Sequence, residues 1–149
     1  RIEKQVLPQK LSGIFSHTVC APENPLMAGF DDVFTAPHSR YSAVETAGIR
    51  AVPELEILAE SREAGVYAIW AQKRRQLFVL GHPEYDRDSL QKEYLRDLTA
   101  DRGLRPPEHC FEEGDLNHPV PCTWRSGATL LFANWLGVLA EKIYPALSR

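Results

Sequence analysis

The sequence predicts an α/β domain. Short apolar, β-prone runs cut by Gly, Pro and Asn fill its first half, a 3.6-residue apolar period follows, and a long apolar helix able to pack onto a sheet lies near the end. At 149 residues the chain is one domain's worth, long enough to bury a core. Residues 1–10 read as an irregular lead-in containing Pro8 and Lys10. Leu11 to Val19 is the first strand, and Asn24-Pro25 with Gly29 marks a loop. Asp32 to Ala36 is a short strand that runs into Pro37-His38-Ser39-Arg40-Tyr41, read either as a polar binding loop or as a hydrogen-bonded turn. Strands are expected at Leu55–Ala59 and Gly65–Ala71. A solvated basic turn, Lys73-Arg74-Arg75, leads into a third at Gln76–Leu80.

That last strand delivers Gly81-His82-Pro83-Glu84-Tyr85-Asp86. In extended backbone, residues i and i+2 share a side, so His82 and Glu84 can face one pocket. A buried strand ending in a polar turn is where open α/β sheets place their sites. The residues leave two readings open, a histidine base oriented by a carboxylate and a turn with a solvated histidine. A helix follows. Asp88 and Gln91 have capping-box spacing, Leu90, Tyr94, Leu95 and Leu98 keep the helical period, and Gly103 is the natural cap before Pro106-Pro107. Arg96 lies off the apolar stripe, at the pocket edge or in water. Residues 104–123 read as an ordered irregular loop that includes Asn117-His118-Pro119. A second helix runs from near Ser126 to about Tyr144, where Pro145 stops it.

Composition narrows the function classes. A net charge of -3 and a pI near 6.0 give no nucleic-acid footprint, and no apolar run reaches the length of a membrane span. The odd count of three cysteines, with no C-x-x-C, suggests neither a disulfide framework nor a zinc site and fits a reducing cytoplasm. None of Cys20, Cys110 and Cys122 sits at a strand-to-helix turn that would activate a thiol. Arg1-Ile2-Glu3-Lys4 carries neither a signal-peptide pattern nor a starting methionine, so the chain is expected to begin within a longer protein.

Seven motifs carry a resemblance. They are Lys10-Leu11-Ser12-Gly13, Gly29-Phe30-Asp31-Asp32, Ala36-Pro37-His38-Ser39-Arg40-Tyr41, Leu55-Glu56-Ile57-Leu58-Ala59-Glu60, Gly81-His82-Pro83-Glu84-Tyr85-Asp86, Trp124-Arg125-Ser126 and Asn134-Trp135-Leu136. In this order, and over essentially the whole chain, the sequence resembles homoserine O-succinyltransferase, the acyl-CoA-dependent family that opens bacterial methionine biosynthesis.

The resemblance implies a class I glutamine amidotransferase-like α/β fold, with a parallel-rich sheet between helices. It implies that residues 1–149 are a single segment, the C-terminal part of that acyltransferase domain. The chain would start just beyond the nucleophile elbow that carries the family's catalytic cysteine, and none of its own cysteines matches that residue. By itself it is therefore expected to be inactive. The resemblance assigns His82 as catalytic base and Glu84 as its partner, and gives Lys10, Ser39 and Arg96 to substrate binding. Those residue types suit the chemistry: a histidine moves protons for a thiol and a hydroxyl, and cations hold carboxylates. The implied partners are L-homoserine, an acyl-CoA co-substrate (succinyl-CoA or acetyl-CoA), the missing N-terminal half and a second copy in a homodimer. No cofactor, metal, nucleic acid or membrane is expected. Competing readings are a homoserine or serine O-acetyltransferase on the same scaffold and, were the chain complete, a non-catalytic interaction domain.

Overall fold

The computed structural model describes residues 2–100, 103–111, 115–116 and 118–143. Five strands form one sheet in the order β2-β1-β3-β4-β5. β1 (Lys4–Val19) pairs along its length with β2 (Val33–Val44), placing Ser12 opposite Ser39 and Gly13 opposite His38. The far end of β1 pairs with β3 (Leu55–Ser61), which pairs with β4 (Gly65–Ala71) and so with β5 (Gln76–Val79). Each of these pairings is antiparallel, in contrast to the parallel-rich sheet the resemblance implies. Only short connections join β3, β4 and β5, and a parallel pair needs a long crossover.

Two expectations near proline are corrected. Residues 4–10 belong to β1 rather than to an irregular lead-in. The register shifts between Val6 and Leu11, and this irregularity accommodates Pro8, which has no N–H to give. The Pro37–Tyr41 cluster is neither a loop nor a turn but the middle of β2. As β2 is an edge strand, Pro37 costs the ladder no bond.

β4 is buried from Val66 through Ala71, the pattern of a strand covered on both faces. On one face Leu58, Tyr67 and Trp70 pack with Leu26 and Met27 of the β1–β2 connection and with Leu131 of the long helix α3 (Arg125–Ile143). On the other, Val66 and Ile69 pack with Ile49 of a short helix, α1 (Thr46–Arg50), which the sequence reading does not include. A third cluster, Ile14, Leu90, Cys110, Val120 and Trp124, holds helix α2 (Ser89–Asp97) and the irregular loop against β1. Gly13, at φ +155°, makes this possible. A Cβ there would lie 2.3 Å from the carbonyl oxygen of Glu108, whose main chain bonds to Ser12 and Ile14.

Helix α2 is shorter than expected, ending at Asp97 with Leu98 as its cap, well before Gly103. No capping box forms: the Asp88 carboxylate pairs with Lys92, and the Gln91 amide donates to the Leu116 carbonyl. Leu90 and Tyr94 are buried, but Leu95 faces solvent. Helix α3 is described as far as Ile143. Tyr144, Pro145 and Asn117 lie outside the described residues. No helix among the described residues is long and apolar enough to cross a membrane.

Candidate active site

The His82 turn closes a curl in the sheet. Leaving β5, the chain gives the Leu80 N–H to the Tyr67 carbonyl of β4 (2.7 Å) and the His82 N–H to the Pro37 carbonyl of β2 (2.8 Å). Two strands far apart in the sheet order thus meet through three residues. Gly81 between them has no room for a side chain, since a Cβ would lie 2.8 Å from the Tyr67 ring and 3.0 Å from the Pro37 oxygen.

His82 Nδ1 and Glu84 Oε1 are 2.8 Å apart. The backbone is a turn rather than extended, with Tyr85 N–H donating to the His82 carbonyl (3.2 Å). The two side chains therefore meet for a different reason from the strand alternation expected. With Nδ1–H directed to the carboxylate, Nε2 carries the lone pair, as a proton acceptor requires. The imidazole stacks on the Tyr85 ring, centroids 4.3 Å apart and planes 16° apart.

Lys10 of β1, Ser39 and Tyr41 of β2, and Glu93, Arg96 and Asp97 of α2 line a depression of about 370 Å³. The structure thus brings together all three residues expected to bind substrate. Their immediate partners are two carboxylates that the sequence reading passes over. Glu93 Oε2 accepts from Ser39 Oγ (2.5 Å) and lies 3.5 Å from Lys10 Nζ, and Glu93 Oε1 accepts from the Tyr85 hydroxyl (2.6 Å). Asp97 pairs with Lys10 (2.7 Å) and Arg96 (2.7 Å). The Lys10 ammonium, almost fully buried, also sits 5.6 Å from the centre of the Tyr41 ring. Arg96 stands on the rim with 69% of its side chain exposed.

The electrostatics follow from these contacts. Burial opposes ionisation of Glu93, but hydrogen bonds from Ser39 and Tyr85 and the charge of Lys10 outweigh it and hold the carboxyl below its usual range. Arg96 and then Lys10 lower Asp97 to about 2. Burial, followed by the bond to Glu93, raises the Tyr85 phenol, which therefore stays protonated as a donor. The signal for Glu93 and Asp97 was present in their spacing, since with Arg96 they lie three and four residues apart on one helix face.

Beneath the turn lies a buried pair, His17 and His38, with Nε2 atoms 2.9 Å apart and both side chains excluded from solvent. Burial holds each well below the ordinary imidazole pKa. Cys20 and Cys110 sit in the opposite setting from an activated thiol. Burial, then Glu60, raises Cys20, and burial raises Cys110 to about 11. Away from the site, exposed Glu63, Glu108 and His109 bring one potential metal-ligand atom each within 4.8 Å of one another, and His109 is already paired with Glu63 at 2.9 Å.

A family model described as homoserine O-succinyltransferase matches residues 1–145. A homoserine O-acetyltransferase of Lachnospira eligens is 44% identical over 97% of this chain and 46% of its own length. A homoserine O-succinyltransferase of Tolumonas auensis is 46% identical over the same shares. The chain thus spans about half the length of these curated relatives. A glutamine amidotransferase structure from Thermotoga maritima superposes with a TM-score of 0.58 at 11% identity, covering 93% of this chain and 55% of that one. The fold is therefore α/β of the class I glutamine amidotransferase-like type. With the family model covering nearly its whole length, the chain belongs to the homoserine O-succinyltransferase family.

Proposed function

We propose that the full-length protein containing this chain transfers a succinyl group from succinyl-CoA to the hydroxyl of L-homoserine, as a cytoplasmic step of methionine biosynthesis. The observation that carries this reading is the His82–Glu84 pair, joined through Tyr85 to the Lys10, Ser39 and Arg96 pocket. In the first half-reaction a cysteine thiolate from outside this chain attacks the thioester carbon. The bond to the CoA sulfur breaks, an acyl-cysteine forms, and the departing CoA thiolate takes the proton His82 received from the cysteine thiol. In the second, His82 accepts the homoserine hydroxyl proton as that oxygen attacks the acyl carbon. The cysteine leaves as a thiolate and the proton returns to it. Glu84 fixes the tautomer and stabilises the imidazolium. The amino acid head group carries both charges. The Arg96 fork suits its carboxylate, and the Glu93 carboxylate suits its ammonium.

Support for the substrate comes from the family match and the relatives' names. Transfer of acetyl instead is a second reading, supported by the name of the Lachnospira eligens relative. Acyl-transfer assays on the full-length protein, with succinyl-CoA and acetyl-CoA in competition, test both. His82→Ala should lower kcat/KM at least about 100-fold, the usual worth of a general base. A His82→Ala enzyme that retained a tenth or more of wild-type activity, a loss under ~1.4 kcal/mol, would place the base elsewhere.

A further inference from the structure

We propose that Tyr85 is a positioning residue with two separable duties: its ring sets the plane of the His82 imidazole, and its hydroxyl sets the Glu93 carboxylate in the head-group pocket. This deepens the reading of His82 as the base and rests on it.

Tyr85 is in contact with both halves of the site. Its ring lies face to face with His82, and its hydroxyl, on the far end of the same rigid plane, donates to Glu93 Oε1 at 2.6 Å. The main chain is fixed on either side. Its N–H donates to the His82 carbonyl, and its own carbonyl accepts from Nε1 of the buried Trp124 (3.0 Å). A phenol has only two side-chain torsions, so with the backbone held the ring cannot turn without losing the stack or the hydrogen bond. On Glu93 the two carboxylate oxygens are divided: Oε2 takes Ser39 and Lys10, while Oε1 takes Tyr85. Losing the hydroxyl alone frees Oε1 and lets the carboxylate rotate, while the face against His82 remains. Losing the ring frees both.

The bland alternative is packing, since Tyr85 also touches the cluster around Leu90 and Trp124. The two roles part in steady-state kinetics on the full-length protein, with each substrate varied in turn. Tyr85→Phe should leave kcat/KM for acyl-CoA within about twofold of wild type and raise the homoserine KM about tenfold, the effect of one hydrogen bond to a charged group. Tyr85→Leu should lower kcat/KM for both substrates, by about fivefold or more for acyl-CoA, because the stack is gone as well. The proposal is overturned if the Phe variant has a wild-type homoserine KM, or if the Leu variant keeps its acyl-CoA kcat/KM. It is equally overturned if both variants lose activity evenly toward the two substrates in step with a fall in Tm, the mark of packing alone.

If Tyr85→Leu does not fold, Tyr85→Phe combined with Glu93→Gln decides. Non-additive effects on homoserine KM support the link, and additive effects sink it. His82→Ala assayed alongside separates the two levels. Full activity there removes the base itself, whereas lost activity beside a wild-type-like Phe variant removes only the role of Tyr85.

Discussion

Three side chains converge on the Glu93 carboxylate, and two of them, Lys10 and Ser39, come from strands 83 and 54 residues before it in the chain. From sequence such a glutamate looks solvated, because helix-face carboxylates usually are. Only the approach of β1 and β2 turns it into the centre of a pocket. The His82–Glu84 contact was legible because it is local. Glu84 should cost less than His82 when removed. Glu84→Ala is expected to lower kcat/KM by about tenfold, as loss of an orienting partner leaves the base in place, and a loss matching that of His82→Ala would give Glu84 a direct chemical role. The buried histidines have a different consequence. Burial depresses both His17 and His38, so each is neutral in the folded protein, while the unfolded chain takes up protons below its ordinary pKa of about 6.5. Their contribution to stability is therefore complete above that pH and is lost as pH falls toward the folded values, at up to about 1.4 kcal/mol per pH unit for each ring. Urea midpoints measured from pH 7.5 to 5 should hold level down to about pH 6.5 and fall below it. His17→Phe should reduce the slope, and an unchanged slope would mean that other groups carry it.

At the scale of elements, the strands with plain β-prone cores were legible and those interrupted by proline were not. Gly65–Ala71 reads as a buried strand from its residues alone and matches β4. Pro8 and Pro37 suggest punctuation, yet a register irregularity absorbs one and an edge position the other. Gly103 likewise suggests the end of α2, yet the helix has already closed at Leu98. The turn after β5 depends on one residue. Tyr67, the ring a Cβ at Gly81 would strike, is 2% exposed and bounded by His17, Phe34 and His38, so it has nowhere to go. Gly81→Ala is expected to destabilise the protein by about 1–3 kcal/mol, the usual cost of overpacking, and to lower kcat/KM by moving His82. Thermal melts and kinetics on the same variant check both effects, and wild-type values in both would show that the turn yields freely.

For the whole molecule, what sequence could not convey is curvature. Nothing in the residues of β5 says that the chain after it will reach β2, because that depends on how five strands coil together. The contact made there comprises two main-chain hydrogen bonds within three residues, one to Tyr67 and one to Pro37, with Arg40 of β2 also donating to the Leu80 carbonyl (3.1 Å). It behaves as a clasp on a rolled sheet, and a clasp can be watched. If the roll opens as one piece, the amides of Leu80 and His82 should exchange with deuterium at closely similar rates, although their acceptors sit on different strands. Exchange at His82 much faster than at Leu80, read by NMR, would instead reveal a seam that parts alone on the β2 side. In that event the protein would spend part of its time intact in every helix and strand, yet with His82 swung clear of β2 and, on the proposed reading, of the proton it has to move.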